Sequence, residues 1–515
     1  MRKLTTGTGR RGLNLLRLAG RSIRLARSDE AAVAAEARRY LAQSMGELKG
    51  LPQKIGQILA MSEAPQAAAF DELTEAGAAL DFSVVERVLA QEWRRPWREV
   101  LSELNPQARA ASLGQVHQGR LPDGQVVAVK VQYPGIARAI ETDLRLLGWL
   151  AAPMGAFRRQ FNLAGYREEL LRDLEEELDY TVEAANQHQY HFLSQVQPNL
   201  VVPRVYGELS TPRVLVTAWE DGAGLRHVAE TWSEGERKAA GRALLEHAFG
   251  FFRHGFVHAD LHPGNFRFRK TTDGGVALVL YDFGCIFRGE PEHRLALLRL
   301  IGMTEANADD DPYPLFLKLG FDPAYLEPIA DRLPGLCRVL FEPFILASPY
   351  HVSRWHLGER VAGVLGEDRW NFRIAGPPSL ILLMRMFHGL IHALATLDVE
   401  LPWRFLLEPI RQQFSQAVDA LALAEPPQPA RGFGNVAKHL RIHVKREGQT
   451  RVQLTSPMQM IDQLDATLDV ELRGQIAAQG IDLHEIVARV RASGYRPQEV
   501  FRLTTAEKDI RVWLE

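Results

Sequence analysis

His258-Ala259-Asp260-Leu261-His262-Pro263-Gly264-Asn265, followed after an apolar run by Tyr281-Asp282-Phe283-Gly284, decides how this 515-residue chain is read. Val276 to Tyr281 has the continuous apolar character of a buried strand, so a polar loop lies on either side of it. The residue types suit phosphoryl transfer, in which a protein does little covalent chemistry and mainly neutralises charge and positions the acceptor. Asp282 and Asn265 supply the hard oxygen ligands that Mg²⁺ prefers. Asp260, five residues before Asn265, is suited to orient or deprotonate a nucleophile. An Asp-Phe-Gly alone recurs by chance in long chains. In this order, flanking a strand, the two motifs reinforce each other.

Upstream, the apolar period changes to two around Gln115 to His117 and Val126 to Val131, with the turn residues Pro122-Asp123-Gly124 between them, which predicts a β-hairpin. Its second strand ends in Val127-Ala128-Val129-Lys130, where a kinase fold places the lysine that holds the α- and β-phosphates. That lysine needs a carboxylate from a helix. Glu183 is the candidate, with Glu175, Glu176 and Glu177 competing on spacing alone. No GxGxxG precedes the hairpin, which instead reads Ala108-Arg109-Ala110-Ala111-Ser112-Leu113-Gly114. Alanines make a stiffer phosphate loop than glycines, which argues against an ordinary protein kinase.

Around this centre the chain divides into five expected parts. Residues 1–29 form a basic amphipathic segment that packs on the body, lies on an anionic membrane surface, or serves as a transit peptide. Residues 30–105 read as a helical extension, with Val84 to Leu104 helix-like. Residues 106–224 form a first lobe and 225–424 a mostly helical second lobe carrying the two loops, with a long helix over Glu234 to His254. Residues 425–515 are a Pro/Gly linker and a small C-terminal module in which Leu440, Ile442 and Val444 alternate as in a strand. The basic stretch Lys438 to Arg451 lacks interleaved aromatics and reads as a solvated strand face.

The formal net charge of -2 gives no footprint for nucleic acid. Two cysteines, Cys285 and Cys337, without metal-type spacing suit a reducing compartment. The apolar stretch Ser379 to Leu397 contains Arg385, His388 and His392, which are costly at bilayer depth, so it reads as a buried helix. His388 and His392 sit one turn apart without a third ligand in view and read as a core or rim pair.

Taken together, these motifs resemble the UbiB/AarF/ADCK family of atypical kinases. Lys54-Ile55-Gly56-Gln57, Ala110-Ala111-Ser112-Leu113-Gly114-Gln115-Val116-His117, Glu177-Leu178-Asp179-Tyr180 and His258 to Asn265 stand in the family's order, and the likeness runs from about Gly46 to Ile286 and continues less distinctly around Pro377 to Asp398. The resemblance implies an α+β, two-lobed protein-kinase-like fold with an N-terminal helical extension and a mostly helical C-terminal lobe. It implies ATP or ADP with Mg²⁺ as cofactors, a nucleotide loop at Ala110, Ala111 and Ser112, and Lys130 paired with Glu183. Lys54 and Gln57 would fold over the active site, and Glu177 and Asp179 would tie the extension down. It further implies a role in ubiquinone or other isoprenoid-lipid metabolism, with quinone-biosynthesis proteins and a membrane surface as partners. The place would be the cytoplasm or inner-membrane face of a bacterium, or a mitochondrion in a eukaryote. The chain departs from the family at Arg109, where an alanine is usual; its guanidinium either pairs with phosphates or points to solvent.

Overall fold

A computed structural model describes residues 81–111, 113–134, 178–308, 310–377, 379–423, 436–446, 449–464, 470–504 and 508–515. The Lys54-Gln57 motif, Ser112, Glu175, Glu176, Glu177 and the basic N-terminal segment lie outside the described residues. The contact pattern divides the chain into two units. The first holds residues 1–231, 258–286 and 384–389; the second holds 232–257, 287–383 and 390–515.

Among its described residues the first unit opens with α1 (Phe82–Trp93), whose N-cap Asp81 accepts a hydrogen bond from the Ser83 backbone and whose C-cap Arg94 adopts a left-handed φ of 55°. The helix-like reading of Val84 to Leu104 is therefore too long. A 3-10 turn follows Pro96, and Leu104 already belongs to β1 (Glu103–Ala110). The helix ends here because Arg94 turns the chain out of the helical region and Pro96 cannot donate to a continuing ladder.

β1, β2 (Gly114–Arg120), β3 (Val126–Gln132) and β5 (Val214–Ala218) form an antiparallel sheet in the order β1-β2-β3-β5, with Lys130 opposite Val116 on one side and Leu215 on the other. Alternation sorts the side chains of β3. Val127, Val129 and Val131 are fully buried in a core with Val85, Val88 and Leu89 of α1, so Lys130 emerges on the opposite face. Each such valine contributes about 1.5–3 kcal/mol through burial. His117, directly opposite Val129 across the β2–β3 pair, is buried on the core side against Phe82.

α2 (Tyr180–Ser194) starts where Asp179 accepts from the backbone and hydroxyl of Thr181. Glu183, Asn186, Gln187 and Tyr190 recur at three- and four-residue steps and are all buried, giving α2 a polar inner face. A three-stranded sheet then runs in the order β4 (Leu200–Val201), β7 (Val276–Leu280), β6 (Phe266–Lys270). The β6–β7 hairpin pairs Phe266 with Leu280. Asn265 and Tyr281, which flank that pair, meet when the Tyr281 N–H donates to the Asn265 carbonyl at 2.8 Å.

The second unit is largely helical. α3 (Glu234–Ala248) opens with a capping box between Ser233 and Glu236 and stops short of the expected His254, the chain continuing as a separate helix over Gly250–His254. α4 (Pro291–Ala306), α5 (Leu333–Leu340), α6 (Leu357–Leu365), α7 (Leu380–Leu397) and α8 (Trp403–Asp419) follow. The C-terminal residues form an antiparallel sheet, β8 (His439–Arg446), β9 (Gln449–Pro457), β10 (Gln498–Thr504) and β11 (Lys508–Leu514), in the order β9-β8-β11-β10, with α9 (Leu483–Ala492) before β10. Within this unit Arg360 of α6, 1% exposed, forms ion pairs with Glu342 at 2.7 Å and Asp462 at 2.9 Å, while Arg491 and Tyr495 reach the same Asp462. The C-terminal residues are thereby tied to the helices by a buried charge network.

Leu383, Met386, Leu390, Ala393, Leu394 and Leu397 form the buried stripe of α7, and Met384 is exposed. Among the described residues no helix is long and apolar enough to cross a membrane. His388, on the exposed side, bonds the Met384 carbonyl at 2.8 Å. Residues Met384–Gly389 of α7 belong to the first unit.

Candidate functional site

Lys130 is the centre of the site. Its ammonium lies 2.8 Å from both carboxylate oxygens of Glu183 and 3.1 Å from Asp282 Oδ2, with the Tyr180 ring 4.9 Å away. Burial opposes its charge, but Asp282 and Glu183 outweigh burial and hold it protonated well above the usual lysine range. Burial pushes the Glu183 carboxyl up to about 7, against the pull of Lys130. Asp282 moves the other way: burial is again the largest influence, yet Lys130 carries its carboxyl below the usual range. Glu183 also accepts from the Phe283 N–H at 3.3 Å, so one carboxylate from α2 holds both the lysine and the loop after β7.

Space for this pair depends on Gly114. A methyl group there would stand 2.3 Å from the Val131 carbonyl oxygen and 2.8 Å from the Tyr180 hydroxyl. That hydroxyl is buried and has no hydrogen-bond partner among the described residues.

The metal-type loop is fixed from several sides. Asp282 has a left-handed φ of 53°. Phe283 is fully buried against Tyr190 and His258, and its carbonyl accepts from Asn186 at 2.9 Å. The backbone N–H of Asp260 donates to His258 Nδ1, so His258 Nε2 carries the proton and donates to the Asp282 carbonyl at 2.7 Å. His258 thus ties the two loops together.

Asp260 Oδ2 accepts from Asn265 Nδ2 at 2.9 Å and from Arg385 Nη2 at 2.9 Å. Burial acts to raise its carboxyl, but Arg385, His262 and His258 outweigh burial and hold it below the usual range. Because the Asn265 amide nitrogen faces Asp260, its oxygen remains for a cation. Among the described residues no cluster of three His, Cys, Asp or Glu side chains could hold a metal. Two side-chain oxygens, one from Asp282 and one from Asn265, fit Mg²⁺, which usually takes one or two protein ligands and completes its shell with water and phosphate oxygens.

The other expected site residues are placed as follows. Ala110 ends β1, and the Ala111 N–H donates to the Gly114 carbonyl, closing the turn. Asp179 serves as the N-cap of α2. Arg109 is exposed and lies over the Trp219 ring at 5.3 Å. Arg385 was absent from the sequence-based site. The only hint was a lone charge in an apolar helix, which there served to argue against a membrane span.

Residues 72–311 match the ABC1 atypical kinase-like domain. The chain is 34% identical to a chloroplastic aarF domain-containing protein kinase of Arabidopsis thaliana, over 61% of this chain and 43% of that one. It is 30% identical to the mitochondrial atypical kinase COQ8B of Danio rerio, over 49% of this chain and 41% of that one. The match therefore spans less than half of the length of these two relatives. A solved structure of Rv3197 from Mycobacterium tuberculosis, in complex with erythromycin, superposes with a TM-score of 0.53 at 29% identity, covering 74% of this chain and 97% of that one. The α+β architecture is that of a protein-kinase-like fold, and the ABC1 atypical kinase-like match over residues 72–311, with relatives named for the aarF domain and COQ8B, supports the likeness to the UbiB/AarF/ADCK atypical kinases.

Proposed function

We propose that this chain binds ATP or ADP with Mg²⁺ and hydrolyses ATP or transfers its terminal phosphoryl group. The observation that carries this reading is the placement of Lys130 between Glu183 and Asp282, in the same unit as the Asp260–Asn265 pair. Lys130 would hold the α- and β-phosphates, and Asp282 and Asn265 would hold the metal, which when bound neutralises the phosphate oxygens. Asp260 would orient the attacking water or hydroxyl. Ala110, Ala111 and Ser112 would cover the phosphates, and Lys54 and Gln57, with Glu177 and Asp179 beneath them, would close over the acceptor side.

We further propose, on the family resemblance carried by the sequence motifs, a role in ubiquinone or other isoprenoid-lipid metabolism, with the basic N-terminal segment on an anionic membrane surface beside quinone-biosynthesis proteins. The test is steady-state ATP hydrolysis by the purified protein with Mg²⁺, with and without anionic liposomes and a phenol resembling a quinone precursor, beside Asp260→Asn. Turnover that rises with lipid and disappears in the variant supports a membrane-responsive ATPase. Tight nucleotide binding without turnover under every condition would replace it with a nucleotide-gated scaffold.

A further inference from the structure

We propose that Arg385 is the positioning residue of the Asp260 carboxylate, so that the phosphoryl-transfer centre extends into α7, beyond the matched residues 72–311. This inference rests on the function proposed above. Arg385 and Gly389 lie four residues apart on one face of α7, and both meet the loop that carries Asp260. Gly389 lets the helix approach: a methyl group there would stand 2.8 Å from the Leu261 carbonyl oxygen and 2.9 Å from the Leu261 Cβ. That approach brings Arg385 to Asp260.

The Arg385 side chain is only 13% exposed, and a guanidinium so far from water needs a fixed anionic partner. Its Nη2 and the Asn265 Nδ2 converge on the same oxygen, Oδ2, which leaves Oδ1 of Asp260 to face an acceptor. His262 and His258 from its own loop and Asp282 from the other are the remaining titratable groups around Asp260. Rotation of a carboxylate held by two donors on one oxygen is restricted. Misplacement of a reacting group by about an ångström costs roughly 100-fold in rate.

The experiment compares wild type, Arg385→Met, Arg385→Lys, Asp260→Asn and the Asp260→Asn/Arg385→Met double variant by MgADP calorimetry, ATP turnover and thermal melting. Positioning predicts that Arg385→Met lowers kcat roughly 100-fold while KM and MgADP affinity stay unchanged. Arg385→Lys should recover part of the loss, and the double variant should be no slower than Asp260→Asn. Equal losses in MgADP affinity, or multiplicative losses in the double variant, would overturn the proposal. If wild type binds MgATP without turning it over, the phosphoryl-transfer reading falls, and melting then decides the role of Arg385. A smaller drop for Arg385→Met in the Asp260→Asn background supports the positioning pair; equal drops in both backgrounds overturn it.

Discussion

Lys130 and Glu183, 53 residues apart, meet with the ammonium equidistant from both carboxylate oxygens at 2.8 Å. Because Glu183 also holds the Phe283 N–H, loss of the lysine strands a buried carboxylate that is part of the loop's support. Lys130→Met should cost about 3 kcal/mol or more in unfolding free energy and reduce MgADP affinity at least tenfold. Denaturant titration and calorimetry measure the two effects separately, and unchanged affinity would remove Lys130 from the nucleotide site.

Gly389→Ala should disturb the loop that carries Asp260 without touching any charged group. The added methyl meets the Leu261 backbone, so either α7 or the loop must shift. A destabilisation of about 1–3 kcal/mol is expected from overpacking, together with a fall in ATP turnover larger than any change in nucleotide affinity.

Arg360→Met removes the cation shared by Glu342 and Asp462 and leaves two buried carboxylates with weaker compensation. A loss of about 3–5 kcal/mol is expected, read as a lower melting temperature. A melting temperature equal to that of wild type would show that Arg491 and Tyr495 hold Asp462 adequately by themselves.

His117 makes the first unit sensitive to acid. Burial lowers its folded-state pKa below 6.5, and the hydrogen bond to the Asn105 carbonyl only partly opposes this. The neutral ring therefore contributes stability above the unfolded pKa, and that contribution is lost as pH falls through the lowered folded value. Melting temperature should decline from pH 6.5 downward, and His117→Gln should flatten the decline.

Much of the centre was legible because its chemistry is local. Lys130 ends an alternating strand, and Asp260 and Asn265 share one loop. Glu183 could not be chosen over Glu175, Glu176 and Glu177 by spacing, since the choice depends on which helical face meets β3. β6 was missed because Phe266, Arg267, Phe268, Arg269 and Lys270 read as a charged stretch, whereas pairing with β7 buries the two phenylalanines and puts Arg267 and Arg269 on the other face. Arg385 was not legible as a site residue for a different reason. It lies 125 positions after Asp260, and only the close approach at Gly389 brings the two together.

The shared ammonium of Lys130 has an electrostatic consequence for the order of events. Among the described residues, three carboxylates, Glu183, Asp260 and Asp282, share the ammonium of Lys130 and the guanidinium of Arg385 in one ion-paired cluster. Such a cluster repels a bare polyphosphate more than a metal-complexed one. For Asp282 to hold a cation as proposed, it would have to leave Lys130, whose ammonium would then be available to phosphate.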